Sequence, residues 1–419
     1  MISEKLMQDL KNLPKSRLVS SELLPTEKKD RHISPFEFML MWIGMSILLA
    51  VFTNAANMFP SLSIKSILFA VMLGNFITVI TLALTGDIGI THGISFPVYL
   101  RAIFGYTGNY IPSLVRSLPA CFWFGFQTYL GAEAINMILV KLIPSYPGTD
   151  GYVMAIIVVF LFVQCFTTAK GIDAIKKFEN IVTPLMFLVV MYLLYFVLAK
   201  SAGEILATPA GEVTGTRYSF AYAVTAMTGF WATMALNIPD LTRHLKSNAD
   251  EPNWLKRNWC SIWPQLLGII PMMTLFAFIG AAAMLTSGQW DPIAYIASLD
   301  APVWLLVLIL LLSVFAQWST NIASNILPPA NIFSTVFAPK ITFAKGCIIA
   351  GVLAFLMQPW SLMDKVVTAN LVVGIMLGGV AGMMVADYYF LRKRKLNIKD
   401  LYVEGGEYTY AKNWNPLAF

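Results

Sequence analysis

Trp123 and Gln127 stand four residues apart in an apolar stretch, a spacing that stacks an indole and a carboxamide on one helix face, a turn apart. A carboxamide offers one acceptor and two donors, and an indole offers a flat π face. The pair is equipped to hold a planar polar molecule rather than to break a bond. Trp231 likewise lies in the middle of an apolar stretch, where an interfacial anchor has no use; most of the eleven tryptophans are read as such anchors or as core filling. Ser319 and Thr320 place two hydroxyls side by side in a further apolar run. Hydroxyls in such runs usually bond back to their own helix, so alone they are a weak signal. Covalent machinery is not expected: there is no HExxH or GxSxG, and His32, His92 and His244 fall in polar connecting segments. Cys121, Cys165, Cys260 and Cys347 are irregularly spaced in apolar segments, which reads as small buried hydrophobes. No cofactor is expected, and an enzyme is not.

These residues need elements to carry them, and the composition says which. The chain has 419 residues, 57% hydrophobic and 12% charged. Soluble domains run near a quarter charged, so too little polar surface exists here to cover a water-soluble globule. Phe38–Ile64, Ala301–Pro339 and Val366–Ala386 contain no Asp, Glu, Lys or Arg. A helix crosses the hydrocarbon in about 20 residues, and dyad alternation is absent, so the class is an all-α polytopic membrane protein. Ten spans are expected, near 36–57, 63–86, 112–139, 152–170, 178–200, 218–238, 259–286, 302–327, 342–359 and 366–391. The third carries Arg116, expected at headgroup level, and Glu133, expected inside the bundle as the one acidic side chain at depth.

Ten spans put both termini on one side. Of the 29 Lys and Arg, all but Lys65, Lys141, Lys200, Arg217 and Lys365 then share that side, which the positive-inside rule makes the cytoplasm. The location expected is the plasma membrane or a bacterial inner membrane, with lipid as the surrounding partner. The net charge of +6 follows from this bias, so no nucleic acid is implied. Residues 1–34 lack a secretory signal. They read as a cytoplasmic tail, followed by a five-helix repeat at 35–200, an external loop at 201–216, a second repeat at 217–391 and a tail at 392–419. Five helices per repeat is odd, so the second repeat must enter the membrane inverted. Such folds break the first helix of each repeat at mid-membrane. Trp42-Ile43-Gly44-Met45-Ser46 and Thr228-Gly229-Phe230-Trp231 are the candidate breaks.

The stretch GFWATMALNIPDLTRHLK (229–246) resembles the nucleobase–cation symporter-1 family, carriers of cytosine, uracil, allantoin and hydantoins. HGISFPVYLRAIFG (92–105), ACFWFGFQTYLGAEAI (120–135), QWSTNIASNILPPAN (317–331), MQPW (357–360) and ADYYFLRKRKLNIKDLY (386–402) resemble it in the same order. The resemblance implies a five-plus-five inverted repeat of the kind found in sodium-coupled amino-acid carriers, with helices 1 and 6 broken. It implies that Trp123 and Trp231 sandwich a heterocycle whose edge Gln127 and Asn325 read. It places Leu48 where some members carry a substrate-touching Gln, and Phe230 where a relative has Gly, which narrows the pocket. It further implies an Na⁺ site made of the Gly44, Ile47 and Ala316 carbonyls with the Ser319 and Thr320 hydroxyls, five neutral oxygens suited to a hard monovalent cation. Members continue with two more helices beyond the segment at which this chain ends, Asn415 to Phe419; the ten core spans are expected intact.

The function expected is a symporter that takes up a nucleobase-like or ureide ring with Na⁺ by alternating access, with no obligatory protein partner. Proton coupling, and a shortened relative that binds without transporting, stay open as alternatives.

Overall fold

Ser34 opens the first span with a reciprocal cap: its hydroxyl accepts from the Glu37 N–H (3.2 Å), while the Glu37 carboxylate accepts from the Ser34 N–H (2.8 Å). Pro35 follows at the first helical position, where a missing N–H costs nothing. The computed structural model describes residues 4–19, 23–198, 202–211, 217–299 and 301–418. Among them, helices occupy all ten expected spans. The first is Pro35–Ser46 with Leu49–Met58, the second Ile64–His92, the third Tyr110–Leu142, the fourth Asp150–Ala169 and the fifth Ile172–Leu198. The sixth is Phe220–Phe230 with Ala232–Thr242, and the seventh Trp254–Ser287. The eighth runs Val303–Val336 through a π-helical turn at Asn321–Ile326. The ninth is Phe343–Leu356 and the tenth Val366–Val385, continued by Ala386–Leu391.

The breaks fall at the first helix of each repeat. The first span bends by 51° at Ile47 and Leu48, one residue beyond the expected window, where both backbones leave the helical region. The seventh span crosses this helix closely: a Cβ on Gly280 would collide with the Phe52 backbone, so only glycine lets the outer half-helix seat there. In the sixth span the break is Trp231, at φ −101° and ψ 4°. A short helix also follows the second helix of each repeat, Phe96–Phe104 in one and Pro292–Ala297 in the other. Matching interruptions at matching positions are what a duplicated, inverted unit produces.

The tails are not free appendages. Arg101, fully buried in the short helix Phe96–Phe104, donates through one terminal nitrogen to the carbonyls of Leu18 and Leu401, both at 3.0 Å. Tyr402 donates to the Leu23 carbonyl at 2.7 Å, so the two tails close over that helix together. Within the expected loop 201–216, Ala202–Ala207 forms a short helix; the repeat boundary at residue 200 and residues 212–216 lie outside the described residues.

Candidate functional site

Trp123 is buried on the third span, with Gln127 one turn on and 2% exposed. The Gln127 Oε1 has no hydrogen-bond partner, an acceptor held in the bundle unanswered. Such an atom costs about 1–3 kcal/mol, a burden a fold carries where a ligand can relieve it. Trp231, at the break of the sixth span, is also buried and its Nε1 is unpartnered. Phe230 packs its ring 5.5 Å from that of Trp123 and 5.9 Å from that of Trp231. The expected plates are thus bridged by a third ring. Trp42 of the first span meets Trp231 edge-on at 5.4 Å and extends the aromatic series to the other break. Leu48 is buried at the break of the first span itself.

Asn325 approaches from the eighth span and is tied into a chain of amides. Its Nδ2 donates to Asn321 Oδ1 (2.9 Å), whose own Nδ2 donates to Gln164 Oε1 (2.7 Å). Gln164 in turn donates to the Thr128 hydroxyl (3.1 Å), next to Gln127 on the third span. The π-helical turn over Asn321–Ile326 presents this edge inward. Sequence reading found Asn325 but missed Asn321 and Gln164; the four-residue spacing of two asparagines in one apolar run was the available signal.

Among the residues expected to hold a cation, Gly44 of the first span and Ser319 and Thr320 of the eighth lie at the contact between those two spans. Thr320 Oγ1 donates to the Ala316 carbonyl (3.1 Å) and, across the interface, to the Met45 carbonyl (3.2 Å). A Cβ on Gly44 would lie 2.7 Å from Ser319 Oγ, so those two chains touch; Ile47 is the break residue itself. With its hydroxyl hydrogen spent on a carbonyl, Thr320 keeps lone pairs free for a cation.

Two expectations change. Glu133 is half-buried and is not the acid at this depth: Glu179 of the fifth span is fully buried and touches Ser319. The expected window, 178–200, contained Glu179 without singling it out; the helix starts six residues earlier, at Ile172, which sets Glu179 two turns inside it. Arg116 does not sit at headgroup level. It is fully buried, its Nε donating to the Thr233 carbonyl (2.8 Å) just past the break of the sixth span, with both terminal nitrogens unpartnered. Asp240 and Arg243 form no ion pair among the described residues. Asp240 instead accepts from the Phe96 N–H (2.9 Å) and from Asn237 (3.1 Å), and Arg243 donates to His244.

Comparison with known proteins points one way. A family model for permeases of cytosine and purines, uracil, thiamine and allantoin matches residues 25–419. The chain is 33% identical over 410 residues to the hydantoin permease of Microbacterium maritypicum, covering 96% of this chain and 82% of that protein. To the allantoin permease of Bacillus subtilis (strain 168) it is 32% identical over 429 residues, 96% of this chain and 85% of that one. Among solved structures, Mhp1, a nucleobase-cation-symport-1 family transporter in a closed conformation with bromovinylhydantoin bound, matches with a TM-score of 0.89. Identity there is 31%, over 95% of this chain and 87% of that chain.

Proposed function

The chain belongs to the family of permeases for cytosine and purines, uracil, thiamine and allantoin, and from that premise we propose that it is a symporter carrying a hydantoin-, allantoin- or nucleobase-like ring together with Na⁺. It is a multi-pass transporter of the five-plus-five inverted-repeat fold and not an enzyme. The observation that carries the substrate class is the unanswered Oε1 of Gln127, one turn from Trp123. A ring N–H satisfies that acceptor while the indoles of Trp123 and Trp231 cover the two ring faces, each stacking contact worth about 0.5–1.5 kcal/mol beyond burial. Asn325, held by Asn321, reads a second edge. A ring lacking the complementary donor leaves the carboxamide unpaired and is discriminated against. Phe230, between the plates, swings aside or caps the ring and sets an upper size.

Na⁺ is a co-substrate, held by the carbonyls of Gly44, Ile47 and Ala316 and the hydroxyls of Ser319 and Thr320. Because those donors span the first and eighth spans, binding the ion fixes the break of the first against the scaffold and shapes the substrate face. Both termini are placed in the cytoplasm by the Lys and Arg distribution. A proton-coupled carrier is the second reading, favoured by the buried carboxyl of Glu179.

The test is a tryptophan-fluorescence titration of the purified protein with a panel of hydantoins, allantoin and nucleobases, with Na⁺ and with choline. A saturable response, lost in Trp123→Ala and in Trp231→Ala and tightened by Na⁺, is expected, since linkage between two ligands is reciprocal. A response that both alanine variants retain removes the sandwich. A response indifferent to Na⁺ removes sodium as the coupling ion.

A further inference from the structure

Glu179 is fully buried, and its partners are hydroxyls. Ser319 Oγ donates to both carboxylate oxygens (2.7 and 2.8 Å), and Thr183 Oγ1, one turn along the fifth span, donates to Oε2 (3.0 Å). Among the described residues no Lys, Arg or His forms an ion pair with it; Lys176, three positions earlier, lies against Glu37. Both oxygens lie within hydrogen-bond reach of a hydroxyl. An ionised carboxylate in a dry interior requires a compensating charge, which two hydroxyls do not provide.

The first span brings the missing half. A Cβ on Gly44 would collide with Glu179 Oε2 and lie 2.6 Å from Thr183 Oγ1 and 2.7 Å from Ser319 Oγ. The carboxylate therefore reaches the turn just before the break only because residue 44 has no side chain. Three spans converge there: the first with Gly44, the fifth with Glu179 and Thr183, and the eighth with Ser319. The Ser319 hydrogen is spent on Glu179, which turns its lone pairs away from the carboxylate, toward any cation it shares with Thr320.

We infer that Glu179 is a ligand of the transported cation, so that the ion site is anionic and spans three helices rather than neutral and spanning two. The inference rests on the sodium-coupled reading above and adds to it. A carboxylate raises the field strength at the ion, which favours a small monovalent cation over a larger one. It also leaves the site close to neutral once Na⁺ is aboard, so the loaded carrier moves no unpaired charge at this point.

The experiment is equilibrium binding of ²²Na⁺ to the purified full chain, alongside the Na⁺ dependence of substrate-induced fluorescence. Glu179→Gln is expected to weaken Na⁺ binding at least tenfold, and Glu179→Asp to recover part of the loss. A wild-type readout covers the case of a variant that fails to fold. Dicyclohexylcarbodiimide reacts with buried carboxyls in their protonated form, and Na⁺, which binds the ionised form, is expected to slow labelling of Glu179 at least fivefold where K⁺ does not. Unchanged Na⁺ affinity in Glu179→Gln, or labelling indifferent to Na⁺ while the wild type binds ²²Na⁺, overturns the assignment and leaves sodium coupling standing. A wild type that binds substrate but no ²²Na⁺ overturns both together.

Discussion

Ile33 and Leu245 pair as a single parallel β-bridge: the Ile33 N–H donates to the His244 carbonyl (3.1 Å), and the Lys246 N–H donates to the Ile33 carbonyl (2.7 Å). Ile33 stands just before the first span and Leu245 just after the sixth, so the bridge clips together the ends of the two broken helices. Arg31, beside it, donates to the Ile90 carbonyl (2.6 Å) and the Ser247 hydroxyl (3.1 Å) and adds the second span to the clip. Opening the bundle on this side requires these bonds to part, because the half-helices of the first and sixth spans cannot separate while their ends are joined.

The clip is expected to be acid-sensitive. Burial of the ring, with repulsion from Arg243, His32 and Arg31, holds His244 well below the usual 6.5. The group is neutral when folded and accepts from Arg243 Nε at 3.1 Å. A folded value below the unfolded one means the unfolded chain binds more protons under pH 6.5, so this stability is complete above that pH and is lost as pH falls. Thermal melts in detergent from pH 7.5 to 5.5 should show a falling midpoint, with a shallower slope in His244→Gln. Equal slopes would show that the ring does not titrate the clip.

Gln127→Leu should separate stability from function. Removing a buried unsatisfied acceptor relieves part of a penalty of about 1–3 kcal/mol, so the midpoint should hold or rise. Heterocycle affinity should fall at least tenfold, which a fluorescence titration reads directly. A variant that melts lower than the wild type would mean that Oε1 is answered in the resting protein.

Phe230→Gly removes the ring between Trp123 and Trp231. Hydantoins with bulky 5-substituents should gain affinity relative to unsubstituted ones, by roughly tenfold in competition assays. The cost in helix propensity, about 1 kcal/mol, should appear as a slightly lower melting temperature. An unchanged order of preference would place the substrate away from this ring.

Asp87 and Arg257 link the second and seventh spans through a buried two-point contact (2.8 and 2.9 Å), with Asn258 donating to the same carboxylate (3.0 Å). Asp87→Asn or Arg257→Met alone leaves a charge unpaired in the bundle and should cost about 3–5 kcal/mol. The double variant should recover much of that loss. Denaturation of all four proteins tests the cycle, and additive losses would show that the pair acts as two independent contacts.

How the parts were legible differs with the physics behind each. Hydropathy is summed along a chain, so ten spans, their order and the odd count per repeat are readable from residues alone, as are tryptophans at mid-span and a carboxamide one turn from one of them. The resemblance to the permeases supplied the rest of the expected site; the structure sets Gly44 against Ser319 and Thr320 against the Met45 carbonyl. What no window along the chain measures is which face meets which. Glu179 sits unremarked at the edge of the expected fifth span; the structure starts that helix at Ile172 and packs the carboxylate against Ser319. Arg116 reads as a headgroup anchor until the sixth helix breaks and turns the Thr233 carbonyl toward it. Phe230 reads as a neighbour of Trp231 until the same break swings its ring onto Trp123, 107 positions earlier in the chain. In each case the residue type was visible, but its partner comes from another helix. Only packing in three dimensions decides whether a buried charge is solvated, paired or waiting for an ion.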